Sequence, residues 1–265
     1  MNEMVLPHWR ESGEGSRAVV LLHGIGGGSG LWEPTLPALE AYRVLAWDMP
    51  GYGQSPPLPA IGPAVGFPAL AASLARMLDA AGVERADLVG HSIGGMVAQE
   101  FAATWPGRVR SLVLYASPPA FGGRDGSFRD RFLAARLAPL DAGRSMAEIA
   151  PGLIDGLLGE EPDAAALPAA VASMAAVPEA GYRAALAALV GFDRRADLGR
   201  IAAPTLVLVG EADPMAPFHV MHAMGEAIPN ARMAIIAYAG HLAHLERPYD
   251  FNEMLAGFLG RVGED

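Results

Sequence analysis

Six short apolar runs, rich in leucine and β-branched residues, recur along the chain: Ala18 to Leu22, Tyr42 to Trp47, Ala86 to Val89, Val109 to Tyr115, Thr205 to Val209 and Met233 to Tyr238. Their shortness and lack of polar alternation predict strands covered on both faces. Between them lie segments with apolar residues at helical spacing, at Phe67 to Ala81, Gly95 to Trp105, His219 to Ile228 and Tyr249 to Val262. Parallel neighbours in a sheet need long crossovers. The alternation therefore predicts an α/β fold with a mostly parallel central sheet flanked by helices.

The alternation fails from 118 to 196, where the sequence is alanine-rich, helical in spacing and interrupted by Pro139, Pro151, Pro162, Pro168 and Pro178. No strand-like run falls inside it. This stretch is expected to be a helical cap inserted in a core made of residues 1–117 and 197–265. Ligands of open α/β sheets bind at the carboxyl edge of the strands, so a cap over that edge would enclose a site. Peripheral helices with no role there are the alternative.

Composition narrows the function. An apolar fraction of 52% with 18% charged residues argues against disorder, and no apolar run approaches the ~20 residues of a membrane span. Met1 to Arg10 lacks the basic and apolar blocks of a secretory signal, so a cytoplasmic protein is expected. A formal charge of −10 without a basic cluster disfavours nucleic acid. With no cysteine, disulfides, thiol nucleophiles and thiolate metal sites are excluded, leaving oxygen or nitrogen to act. Neither H-E-x-x-H nor a dense cluster of ligand residues occurs, and the glycine run Gly24 to Gly30 lacks a convincing dinucleotide fingerprint. Neither metal nor cofactor is expected.

Gly90-His91-Ser92-Ile93-Gly94 fits G-x-S-x-G, in which a sharp turn between strand and helix presents the serine oxygen. The bare pattern arises by chance about 0.16 times in a chain of this composition, so its context decides. Here an apolar strand precedes it and a helical pattern follows. A helix starting after Ser92 aims its unpaired N–H groups at the place where an oxyanion would form.

A serine hydroxyl needs a base within reach, and the base needs an orienting partner. His241 follows the last strand-like run, which places it on a loop at the sheet's carboxyl edge. His244 is its nearest rival and could help bind substrate. His219 and His222 fall in a helix expected to be exposed, His8 lies near the terminus, and His23 and His91 stand at strand ends where packing roles are expected. Asp213, held before Pro214 and after the strand Thr205 to Val209, is the preferred acid. Glu211 and Asp48 are its rivals. The order Ser92, Asp213, His241 is that of α/β-hydrolases.

Over nearly its whole length the sequence resembles the α/β-hydrolase superfamily. His23-Gly24-Ile25-Gly26-Gly27 looks like its oxyanion loop, Asp48-Met49-Pro50-Gly51-Tyr52-Gly53-Gln54-Ser55 like its D-x-x-G-x-G-x-S turn, and Gly240-His241-Leu242 like its histidine loop. The resemblance implies an oxyanion hole made by the backbone N–H groups of Ile25 and Ile93, and a structural role for Asp48. It also implies a serine hydrolase acting on carboxylic esters or lactones of small apolar substrates. A carbon-carbon bond hydrolase of aromatic ring-fission products is the alternative with the same triad, and a ligand-binding receptor on a hydrolase scaffold the alternative from another class. A small-molecule substrate is the expected partner, with no nucleic acid and no membrane; monomer and homodimer remain equally open.

Overall fold

Seven strands form one sheet: β1 (Trp9–Ser12), β2 (Ala18–Leu22), β3 (Arg43–Trp47), β4 (Ala86–His91), β5 (Val109–Tyr115), β6 (Thr205–Gly210) and β7 (Ala231–Ile236). The computed structural model describes residues 5–58, 66–122 and 127–262; residues 123–126 of the expected cap and 1–4, 59–65 and 263–265 of the expected core lie outside the described residues. The sheet order is β1-β3-β2-β4-β5-β6-β7, and every neighbouring pair is parallel except β1 with β3. Every residue of β2, β4 and β6 is buried, as continuous apolar runs require.

Helices α1 (Phe67–Ala80) and α2 (Ile93–Thr104) pack together, and α2 lies along β4 and β5. Four helices follow β5: α3 (Ser127–Asp141), α4 (Met146–Ile154), α5 (Ala166–Ala175) and α6 (Glu179–Leu189). The chain then returns to the sheet, with α7 (Phe218–Ala227) against β6 and β7, the short α8 (Ala243–Glu246), and α9 (Pro248–Val262) against β7.

Two readings of the pattern need correction. β1 was absent from the expected strands: its Trp9-Arg10-Glu11-Ser12 sequence is half exposed and charged, as suits an edge strand that must resist further pairing. The last strand runs from Ala231 to Ile236 rather than Met233 to Tyr238, because Tyr238 turns out of the sheet at φ 60° with its side chain exposed. Among the prolines, Pro151 lies inside α4, Pro139 in the last turn of α3 and Pro168 in the first turn of α5, where a missing N–H costs little.

The helical segment leaves and rejoins the sheet through a paired neck. Phe121 N–H donates to the Phe192 carbonyl (3.0 Å) and Arg194 N–H to the Pro119 carbonyl (2.8 Å), around a bridge between Ala120 and Asp193. From this neck the Arg194 guanidinium reaches the buried Glu100 carboxylate of α2, with its Nε at 2.7 Å.

Candidate active site

Strand register assembles the site. Between β3 and β4 the chain crosses from one side of β2 to the other, and Leu22 pairs with Gly90. The loop after β2 therefore emerges beside the loop after β4, at the switch point where open α/β sheets bind ligands. On the other side, Tyr115 pairs with His91 and with Leu208, and Gly210 pairs with Ile236. These registers bring the Asp213 and His241 loops to the same edge.

Ser92 is the N-cap of α2 and has φ 52° and ψ −120°, a conformation that an L-residue keeps only under constraint. Its neighbours supply the constraint. A Cβ on Gly90 would lie 2.4 Å from Gly95 Cα, and one on Gly94 would lie 2.3 Å from the Leu22 carbonyl oxygen, so strand and helix close on the turn only because both are glycines. Ser92 N–H is fixed to the Tyr115 carbonyl at 2.9 Å. The N–H groups of Ile25 and Ile93 have no hydrogen-bond partner among the described residues, and Ile25 lines the same cavity as Ser92.

His241 and Asp213 are both buried and hydrogen-bonded, with Nδ1 2.9 and 3.0 Å from the two carboxylate oxygens. An ionised carboxylate only accepts, so Nδ1 carries a proton, and the neutral ring then has its lone pair on Nε2. Burial alone would raise the Asp213 pKa. His241 and the N–H groups of Ala216 (3.0 Å) and Met215 (2.7 Å) outweigh it, and the carboxyl is held below its ordinary value. Ser92 and His241 face two adjoining cavities of about 60 and 40 Å3. Ser92 Oγ makes no hydrogen bond to another described residue, so the hydroxyl is open to the cavity; such contacts commonly tighten only when substrate is bound.

The other buried histidines, His23, His91 and His244, are structural in their contacts, whereas His219 and His222 are exposed on α7. His91 Nε2 donates to the His241 carbonyl at 2.9 Å, and Tyr115 Oη donates to the same oxygen at 3.1 Å. His23 Nδ1 donates to the Gly24 carbonyl (2.8 Å) while its Nε2 accepts from Met49 N–H (2.9 Å), tying the loop after β2 to the loop after β3. Burial drives the pKa of both below the ordinary histidine value. His244 is away from the cavities, packed against Trp32, Tyr115 and Phe251, and burial pushes its pKa down to about 3. Asp48 accepts from Ser29 and Gln54 N–H groups and from His8, whereas Glu211 is exposed and accepts from Tyr238 N–H. Neither touches His241.

Two side chains here were not singled out from the sequence. Buried Glu246 accepts from the N–H groups of Gly240 (2.9 Å) and Leu242 (2.9 Å), on either side of His241, and from Gly159 (2.6 Å) in the helical segment. His241 N–H itself donates to the Leu157 carbonyl at 2.7 Å. Arg136 of α3 lines the larger cavity, beside Phe121, Phe132, Met174 and Tyr182. Phe128 and Met146 of the same helical segment line neither cavity. Among the described residues no group of three His, Cys, Asp or Glu side chains could hold a metal, and no helix is long and apolar enough to cross a membrane.

The sequence model of the alpha/beta hydrolase fold matches residues 17–248. The chain belongs to the α/β-hydrolase family. Among this hydrolase's relatives, a protein of Azorhizobium caulinodans named provisionally as the carbamate hydrolase RutD is 33% identical over 260 residues, covering 93% of this chain and 92% of that one. A 2-hydroxy-6-oxononadienedioate/2-hydroxy-6-oxononatrienedioate hydrolase of Paraburkholderia phymatum is 31% identical, covering 96% of this chain and 91% of its own. Among solved structures, a thermophilic esterase of Thermogutta terrifontis superposes with a TM-score of 0.84 at 27% identity, covering 97% of this chain and 93% of that one.

Proposed function

We propose that this α/β-hydrolase is a serine hydrolase cleaving carboxylic esters or lactones, with Ser92 as nucleophile, His241 as its base and Asp213 orienting the base. One observation carries the reading. A buried His241–Asp213 pair, protonated on Nδ1, opens onto the same cavities as a serine held at a strained strand-to-helix turn. In this reading Ser92 Oγ attacks the carbonyl carbon, its proton passes to His241 Nε2, and the carbonyl oxygen becomes an oxyanion held by Ile25 and Ile93 N–H. Each donor would lower the barrier by about 3 kcal/mol. The leaving alkoxide takes the proton from His241, and water then attacks the acyl-enzyme by the same route in reverse. Residues 118–196 would act as a cap that walls the acyl pocket and excludes water.

The relative that acts on a dienedioate supports a second reading, in which the same residues cleave a carbon-carbon bond beside a ketone. A kinetic comparison separates the two. Purified protein should hydrolyse short p-nitrophenyl esters, and Ser92→Ala should lose activity by a factor on the order of 10^4. Near-normal ester hydrolysis by folded Ser92→Ala would overturn the assignment. A preference for a ring-fission dienedioate by orders of magnitude in kcat/KM would favour the second reading.

A further inference from the structure

Arg136 is the one permanently charged side chain among the described residues lining the two cavities beside Ser92. Its Cζ lies 3.6 Å from the centroid of the Phe132 ring, a cation–π contact. Several arginines elsewhere are paired with carboxylates, among them Arg17 with Asp87, Arg43 with Glu11, Arg183 with Asp141 and Arg194 with Glu100, while others, such as Arg85 and Arg110, are not. Arg136 meets none and makes no hydrogen bond to any described residue. Burial lowers its pKa from the ordinary arginine value, with Tyr182 opposing the shift. Tyr182 lines the same cavity, and its hydroxyl makes no hydrogen bond to a described residue.

Arg136 and Tyr182 thus share a mostly apolar cavity in which no described carboxylate stands opposite the guanidinium's five N–H donors. A partly buried cation left in that state is costly, and the planar fork matches a carboxylate in two-point contact. The chain's net charge of −10 offers no long-range attraction to an anion, so selection would come from contact inside the cavity rather than from steering.

We propose that Arg136, with Tyr182 beside it, binds a carboxylate carried by the substrate, so that the preferred substrates are esters or lactones of short acids bearing a second, ionised carboxyl group. The substrate claim rests on Ser92 being the nucleophile. The anion site does not.

Two measurements keep those claims apart. The first compares kcat/KM for p-nitrophenyl hemiglutarate with that for p-nitrophenyl pentanoate, which has the same acyl length without the charge. The ratio should favour the hemiglutarate by about tenfold or more and fall by about tenfold or more in Arg136→Met. A ratio near one, or one unchanged in Arg136→Met, overturns the proposal. The second titrates Ser92→Ala calorimetrically with glutarate and with neutral glutaramide. Saturable binding of glutarate alone, abolished in the Ser92→Ala/Arg136→Met double variant, supports the site even if no ester is turned over. Absent glutarate binding, equal binding of glutaramide, or binding retained in a folded double variant overturns it.

Discussion

Ser92 at φ 52° shows how one residue's geometry is imposed by its neighbours. The strain persists because β2, β4 and α2 meet within contact distance, and Gly90 is where that closeness is least forgiving. Gly90→Ala should lose about 3 kcal/mol of stability by overpacking, read as a lowered urea midpoint; a midpoint within error of the parent would contradict the packing described here. His244 makes a prediction of different sign. It is neutral in the fold, with a pKa of about 3, while an unfolded imidazole titrates near its ordinary value of 6.5. The unfolded state therefore binds the extra proton, and the stability present above pH 6.5 is lost as the pH falls toward 3. Between pH 7 and 5 the loss amounts to about 2 kcal/mol. His244→Gln should remove that part of the acid sensitivity whatever its effect at pH 7, as urea midpoints at the two pH values will show.

At the scale of elements, the strands that carry the site were legible because they are buried on both faces and read as unbroken apolar runs. β1 and the end of β7 were not, since edge strands mix charged and outward residues and carry no such signal. The three candidate side chains, Ser92, Asp213 and His241, could be proposed from the sequence for a related reason: each follows a strong strand, and strand ends fix where a loop begins. Glu246 was not, because its importance lies in backbone N–H groups brought to it from residues 159, 240 and 242, which no local spacing encodes. Arg136 was hidden likewise, being one of three arginines on a helix with little apolar periodicity. If Glu246 holds the histidine loop, Glu246→Gln replaces one acceptor oxygen by an NH2 facing a buried donor. It should cost about 1–3 kcal/mol and reduce kcat. A variant with parental stability and kcat would show that the loop needs no such clamp.

For the whole molecule, the sheet is the most deeply buried part, and the helical segment joins it at the paired neck and at the histidine loop through Leu157 and Gly159. β2 and β4 are wholly buried, whereas α3 buries only Phe132 and Leu140 among its side chains. Amide hydrogen exchange should accordingly be slowest in β2, β4 and β5 and faster by orders of magnitude in α3; equal protection would mean that the helical segment opens only with the sheet.

The central claim is that Ser92 alone is made nucleophilic by His241. It is tested most directly by treating the protein with a fluorophosphonate and mapping the modified peptide by mass spectrometry. A single adduct on Ser92, absent from folded His241→Ala, is the predicted result. An adduct on another residue, no adduct at all, or labelling undiminished in His241→Ala would contradict it.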